Sequence, residues 1–174
     1  MKTIKRWKFL RKGMVSENGN QKWTLGEWVS VDGELDMCHH GLHASREPYD
    51  AFSYVPGEIL ALVECRGKHL KEENKECWQE QKVIKAYEWT KKDSLKLAIY
   101  SAELVLKNFE KEYPEDKRPR EAIEAAKKVL FKDNQDTRSA AWSAAESAAR
   151  SAESVAVKKI QKYFKGLVKD LKEI

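Results

Sequence analysis

The densest group of reactive side chains lies in one short segment, Cys38-His39-His40-Gly41-Leu42-His43. Cysteine and histidine are zinc ligands, but a structural zinc site needs four ligands, usually supplied as two separated pairs. Outside this segment, Cys65, His69 and Cys77 are separated by four and eight residues, which is not the spacing of such a pair. We therefore expect neither a bound metal nor another cofactor.

His43 differs from its neighbours because it lies between Gly41 and Ser45, at a predicted turn beside a strand. A histidine there is either a hydrogen-bonded core residue or part of a site, and the sequence leaves both interpretations open. Cys38, His43 and Asp50 have the residue types of a nucleophile, a base and an orienting group. However, no nucleophile elbow, Walker loop, GxGxxG or HExxH motif is present. No catalytic residue is assigned, and the sequence favours a binding protein over an enzyme.

A second possible chemistry is electrostatic and lies at the N-terminus. The first twelve residues contain six basic side chains and no acidic one, whereas the whole chain has a net charge of +5. The rest of the chain is therefore close to neutral, and the excess positive charge lies in the first twelve residues, which form a basic edge. Such an edge could bind a polyanion, including nucleic acid, through Lys5, Arg6, Trp7, Lys8, Arg11 and Lys12.

The sequence pattern changes near residue 93, from one typical of strands to one typical of helices. Seven of the eight glycines precede residue 68, and short apolar runs there alternate with polar residues and turn signals. This pattern predicts strands near 6–10, 23–31, 59–65 and 82–89. We expect residues 1–92 to form a β-rich domain built on a small antiparallel sheet.

Residues 93–174 carry a helical pattern instead. Apolar residues at steps of three and four predict a helix over 93–113, capped by Thr90 or Asp93 and ended by Pro114. A second helix is predicted from Pro119 to about Phe131. The predicted fold is α+β, with the sheet domain and the helical region forming one compact unit.

An internal repeat of Ser-Ala tetrads begins at Ser139, and seven of the fourteen residues over 139–152 are alanine. Small side chains let another helix approach closely, so we expect a long Ala/Ser-rich helix. It could pack within the helical layer or form a homodimer interface. A peptide- or lipid-binding surface is the alternative, although charged residues interrupt any wide apolar face.

The lengths of the apolar runs and the number of cysteines indicate where in the cell we expect the protein. No stretch approaches the roughly 20 apolar residues of a membrane helix, and the N-terminus lacks the apolar core of a secretory signal. The three cysteines are too few and too irregular for a disulfide framework. We expect a soluble cytoplasmic protein with no membrane partner.

Motifs in the first half resemble an uncharacterised domain of phage and bacterial proteins over about residues 5–90. They are Cys38-x-x-Gly41-Leu42-His43-Ala44-Ser45, then Asp50-Ala51-x-x-Tyr54-x-Pro56-Gly57, then Val63-Glu64-x-x-Gly67. The alanine-rich tail is similar to a helical region of proteins labelled as immunity proteins. The resemblance implies an accessory protein of phage or mobile-element origin that binds host machinery, such as a defence-system inhibitor or a sequestering protein.

The segment from Gly41 to Ser45 also resembles a central strand of ADP-ribosyltransferase-like folds. That likeness implies that His43 and Ser45 line a nucleotide pocket and that Tyr54 stacks on a base, with Cys38 as a fourth candidate ligand-binding residue. The His-Gly and glutamate motifs that would complete catalysis are missing, which favours a relative that only binds. The partner therefore stays open among a host protein, a nucleotide and nucleic acid.

Overall fold

The computed structural model describes residues 2–55, 57–131 and 154–174. An antiparallel sheet in the N-terminal part is followed by helices, which confirms the predicted α+β class. The predicted Ala/Ser-rich helix over 139–152 lies outside the described residues. The elements in the described ranges are β1 (Ile4–Leu10), β2 (Trp28–Ser30), β3 (Leu42–Ala44), α1 (Pro48–Tyr54), β4 (Ile59–Lys71), β5 (Glu76–Glu88), α2 (Lys91–Glu112), α3 (Arg118–Phe131) and α4 (Ser154–Lys169).

The sheet has the order β1-β4-β5-β2, and β3 pairs with the first part of β5. Strands β4 and β5 form a long hairpin whose register runs from Ile59 opposite Glu88 to Lys71 opposite Glu76. Just after β3, Ser45 exchanges two backbone hydrogen bonds of 2.8 Å with Trp7 of β1. Backbone pairing therefore runs in a closed ring through β1, β4, β5 and β3.

The two faces of β1 pack against different groups, because successive strand residues point to opposite sides. Leu10 belongs to an apolar core shared with Trp23, Val63 and Trp78, among others. Phe9 makes edge-on contacts with the rings of Phe52 in α1 and Trp89, at centroid distances of 5.5 and 5.6 Å. Lys8 lies two residues before Leu10, so β1 directs a lysine toward its inner face.

Local sequence signals define the helices. Helix α2 begins with a capping box in which the Thr90 hydroxyl accepts from the Asp93 backbone N–H and the Asp93 carboxylate accepts from the Thr90 N–H. Its end at Glu112, before Pro114, agrees with the prediction. Helices α2 and α3 share one apolar core, formed by Leu95, Ile99, Ala102, Leu106, Ile123 and Ala126.

The chain divides into two compact units. The sheet unit comprises Met1–Trp89 and Lys165–Ile174, and the helical unit comprises Thr90–Phe164. Within the sheet unit, the end of the chain pairs with the end of β5, since the Ile174 N–H donates to the Ala86 carbonyl at 3.0 Å. None of the described helices is long and apolar enough to cross a membrane.

Candidate functional site

A pocket of about 430 Å³ opens in the sheet unit beside β3. The structure brings all four predicted ligand-binding residues, Cys38, His43, Ser45 and Tyr54, to its wall. The remaining wall comes from β1, the loop over 16–21, α1, Lys75, Val31 and the segment around β3. The pocket therefore lies where the backbone ring closes between β1 and β3.

Gly41 allows the reactive segment to lie against β5. Its φ is +132°, and a Cβ on this residue would lie 2.2 Å from the Cys77 sulfur. Cys38 has a positive φ of 71°, which is uncommon for a non-glycine residue. The turn before β3 is therefore tight, and it directs Cys38 and His43 toward the same pocket.

His43 is half-buried at the pocket wall. Its Nε2 accepts a hydrogen bond from the backbone N–H of Cys38 at 3.0 Å. Burial lowers the pKa of His43, and the positive charges of Lys8 and Lys75 lower it further. His43 is thus neutral at pH 7, with Nε2 as the acceptor nitrogen.

Lys75 supplies a positive charge at the pocket wall. Its Nζ lies 2.8 Å from the exposed Cys38 sulfur, 3.3 Å from a Glu72 carboxylate oxygen and 5.2 Å from the centre of the Tyr54 ring. The hydrogen bond with Cys38 is the main cause that raises the pKa of Lys75. The Tyr54 hydroxyl in turn donates to the Asn74 side chain. Lys75 is therefore protonated at pH 7, and sequence reasoning missed it because no motif surrounds it.

Lys8 is the second basic residue of the pocket, and only 8% of it is exposed. Its Nζ donates to Gln81 Oε1 at 3.0 Å and lies 3.9 Å from the centre of the Trp23 ring. Gln81 is itself fixed, because its Nε2 donates to the Leu42 carbonyl at 2.8 Å. Burial lowers the pKa of Lys8 to about 7, against an opposing effect of Cys65. Within the described ranges, no carboxylate pairs with this amine.

The predicted polyanion-binding edge is divided by the fold. Lys8 is buried, Trp7 lines the pocket, and Arg6 donates to the Glu76 carboxylate at 2.7 and 3.1 Å. Arg11 lies 3.7 Å from Glu17. Of the six residues, Lys5 and Lys12 are the two that are exposed and form no ion pair within the described part of the chain, so the edge is not one continuous basic surface.

Glu76 explains why the charge of Arg6 is not available at the surface. This carboxylate is 2% exposed and also accepts hydrogen bonds from Arg46 at 2.8 Å and from the Trp78 indole at 3.1 Å. Burial alone would raise the pKa of Glu76, but the hydrogen bonds from Arg6 and Arg46 hold it below its usual value. Glu76 is therefore ionised and neutralises the arginines beside it.

The charges around the pocket are unequal. At pH 7 Lys75 is protonated, Lys8 with its pKa of about 7 is partly protonated, and His43 is neutral, while Glu17 is the one acidic residue of the described lining. Trp7 and Tyr54 add aromatic rings, and Ser45 adds a polar group. Among the described residues, no three His, Cys, Asp or Glu side chains are grouped to hold a metal ion. The arrangement can bind an anion that also carries an apolar or aromatic part.

Comparison with known proteins places the sheet unit in a family. No curated protein and no solved structure matches the chain. Residues 4–93 match a family described as a domain of unknown function, DUF7666. The matched residues contain all five strands and every lining residue of the pocket. The chain therefore belongs to the DUF7666 family.

Proposed function

We propose that this protein binds a small anionic ligand, with a nucleotide as the preferred class, in the pocket around His43. The observation that carries the proposal is the charge of the pocket. Lys75, which is protonated, and Lys8, whose pKa is about 7, contribute amines to its wall, whereas Glu17, the one acidic residue of the described lining, is close to Arg11. A phosphate or carboxylate would complement this charge in a partly desolvated site, where electrostatic attraction is stronger than in water.

The wall also offers contacts for the rest of a nucleotide. Tyr54 is 46% exposed and, like Trp7, presents an aromatic ring on which a base can stack. Ser45 can donate a hydrogen bond to a phosphate or a ribose oxygen. Lys75, above the Tyr54 ring, is suited to a phosphate attached to the stacked base and sugar.

Sequestration is the role that agrees best with such a pocket. The motif resemblance to phage and bacterial domains suggests an accessory protein that acts on host machinery, and binding a host signalling nucleotide would inhibit a defence system without turnover. This role, a mobile-element origin, the similarity of the tail to immunity proteins, a cytoplasmic location and a homodimer through the Ala/Ser-rich segment remain predictions from the sequence.

Thermal unfolding with a ligand panel tests the proposal. The panel pairs nucleotides, cyclic nucleotides and ADP-ribose with the corresponding unphosphorylated nucleosides. A ligand at 100 times its Kd stabilises the folded state by about 2.7 kcal/mol. We expect a nucleotide to raise the Tm of the wild type, while its nucleoside has a smaller effect.

Two variants and one control assign the effect to the pocket. Lys75→Met and His43→Ala remove pocket groups, whereas Lys82→Met removes a lysine that lies 3.0 Å from Glu64 on the sheet and does not line the pocket. We expect the first two to reduce the ligand-induced shift and the control to retain it. Equal shifts in all three variants, or no shift with any phosphorylated ligand, would contradict the proposal.

A further inference from the structure

The chemical state of Lys8 has a consequence beyond electrostatic binding. An ordinary surface lysine is protonated at pH 7 and has no lone pair with which to attack a carbon atom. A lysine becomes nucleophilic when it is desolvated or lies near other cations, and this is how lysines that form Schiff bases are activated. Lys8 meets the first condition, because only 8% of it is exposed and burial is the main cause that lowers its pKa to about 7.

The described residues that surround Lys8 leave its amine without a negative partner. Strand β5 contributes the neutral amide of Gln81, and the indole of Trp23 covers another side. Strand β4 contributes Cys65, whose pKa is raised by burial to about 12, so that it remains an uncharged thiol. Glu76 on β5 is ionised but is hydrogen-bonded to Arg6, Arg46 and Trp78.

We propose that Lys8 is a carbonyl-binding lysine, which captures a small aldehyde or ketone carrying a phosphate or carboxylate as an imine in the pocket. The proposal rests on the proposed anion-binding function for access to Lys8 and for the class of ligand. It adds a reversible covalent bond at a defined nitrogen atom. The cavity, the burial of the amine and the positive charge of the wall carry it together.

The reaction needs no oxidant or reductant. The lone pair of the neutral Lys8 Nζ adds to the carbonyl carbon, and the carbonyl oxygen gains a proton to give a carbinolamine. The C–O bond then breaks, the oxygen leaves as water with the two hydrogens that the amine had carried, and a C=N bond remains. Protonation of the imine gives a cation that Trp23 and Gln81 can stabilise as they stabilise the ammonium.

Reductive trapping tests this inference. Pyridoxal 5′-phosphate is a suitable probe because it carries an aldehyde and a phosphate, and borohydride converts its imine into a stable secondary amine. The full chain is treated with less than one equivalent of probe at pH 7.5, reduced, digested and mapped by mass spectrometry. We expect Lys8 to carry most of the label, at least tenfold more than exposed lysines such as Lys5 and Lys12.

Matched variants and a second probe complete the experiment. Lys8→Arg keeps a cation but cannot form an imine, and it should remove the main label. Lys82→Arg changes a lysine that also contacts a tryptophan, Trp28, but is paired with Glu64, and it should leave the label unchanged. Label spread over the exposed lysines with none on Lys8 of the folded protein would overturn the inference. Equal labelling of Lys8 by pyridoxal, which lacks the phosphate, would support the imine but contradict an anion-binding pocket.

Discussion

The helical unit and the sheet unit satisfy their buried polar side chains in different ways. In the helical unit, Asp93 bonds to Thr90, and the Ser101 hydroxyl donates to the Leu97 carbonyl at 2.9 Å, so each partner lies within one helical turn. In the sheet unit, Lys8 reaches Gln81 across 73 residues of sequence and Arg6 reaches Glu76 across 70. The first kind of contact helps to form a helix, whereas the second exists only after the sheet has assembled.

The long-range contacts of the sheet unit involve buried ionisable side chains that the stability of the fold alone does not require. Burying an amine or a carboxylate is costly, and apolar replacements of buried ion pairs are often neutral or stabilising. Ionisable groups with displaced pKa values are also concentrated at functional sites. The polar interior of the sheet unit lies beside the pocket, which is consistent with a binding role for Lys8.

The largest expected effect comes from breaking a long-range contact of the sheet unit. Glu76→Gln keeps the size of the side chain but removes the charge that neutralises Arg6 and Arg46. Because it leaves partly buried cations without a counter-charge, we expect a loss of about 3 kcal/mol in the free energy of unfolding, measured in urea. Glu80→Gln, at a more exposed pair with Arg66, is the control and should cost less than about 1 kcal/mol. Similar losses of stability in both variants would show that the buried carboxylate of Glu76 contributes no more than the exposed one of Glu80.

A second variant tests the tight turn that directs His43 to the pocket. Gly41→Ala places a Cβ against the Cys77 sulfur and forces an unfavourable φ, so we expect a loss of about 2 to 3 kcal/mol. Gly26 also has a positive φ, of 83°, but it has open space around it. Gly26→Ala should therefore lose only the free energy of unfolding that the unfavourable φ costs. The double variant Gly41→Ala with Cys77→Ala should recover part of the difference. No recovery would show that the contact with Cys77 is not the cause.

The pH dependence of stability tests the buried amine. Between pH 7 and pH 9 the folded Lys8, with a pKa of about 7, goes from about half protonated to deprotonated, while the unfolded lysine, with its ordinary pKa of 10.5, still holds its proton. The unfolded state therefore binds more protons, and the free energy of unfolding rises with pH. We expect the wild type to gain about 2 kcal/mol relative to Lys8→Met over this interval. If the free energies of unfolding of the two proteins, measured in urea, change with pH in parallel, the low pKa assigned to Lys8 is wrong.

The smallest expected effect lies in the helical unit. Thr90→Ala removes one half of the α2 capping box and should cost about 1 kcal/mol in the free energy of unfolding. Thr24→Ala, at an exposed position outside the helices and strands, serves as the control and should have no measurable effect. If Thr90→Ala and Glu76→Gln lower the free energy of unfolding by the same amount, local and long-range polar contacts contribute equally to stability.

The difference between local and long-range contacts also explains how much of the fold and of the site the sequence could predict. Helices α2 and α3 follow from apolar periodicity, Thr90 and Pro114. Strands β1 and β4 include the predicted strands over 6–10 and 59–65, and β5 includes the one predicted over 82–89 except for its last residue. These signals are local. The positions of His43, Ser45, Tyr54 and Cys38 around one pocket follow from their motifs together with the pairing of Ser45 and Trp7.

The rest of the site depends on contacts that no local pattern contains. The sequence predicts Lys8 to be part of a basic edge because its neighbours in sequence are basic, whereas its amine is buried against Gln81 of a distant strand. Lys75 has no motif, and it reaches Cys38 only because β3 pairs with β5. Charge counted along the sequence therefore overestimates the exposed basic edge and underestimates the charge of the pocket.

NMR of ¹³C-labelled lysine can show directly whether Lys8 is a buried amine that serves a ligand. The Lys8 resonance, assigned with Lys8→Arg, is titrated with and without a saturating nucleotide from the thermal-shift panel. We expect a midpoint near 7 for the free protein and a higher midpoint when the ligand phosphate lies in the pocket. A midpoint near the ordinary 10.5, or one that does not change when the ligand binds, would contradict this role of Lys8.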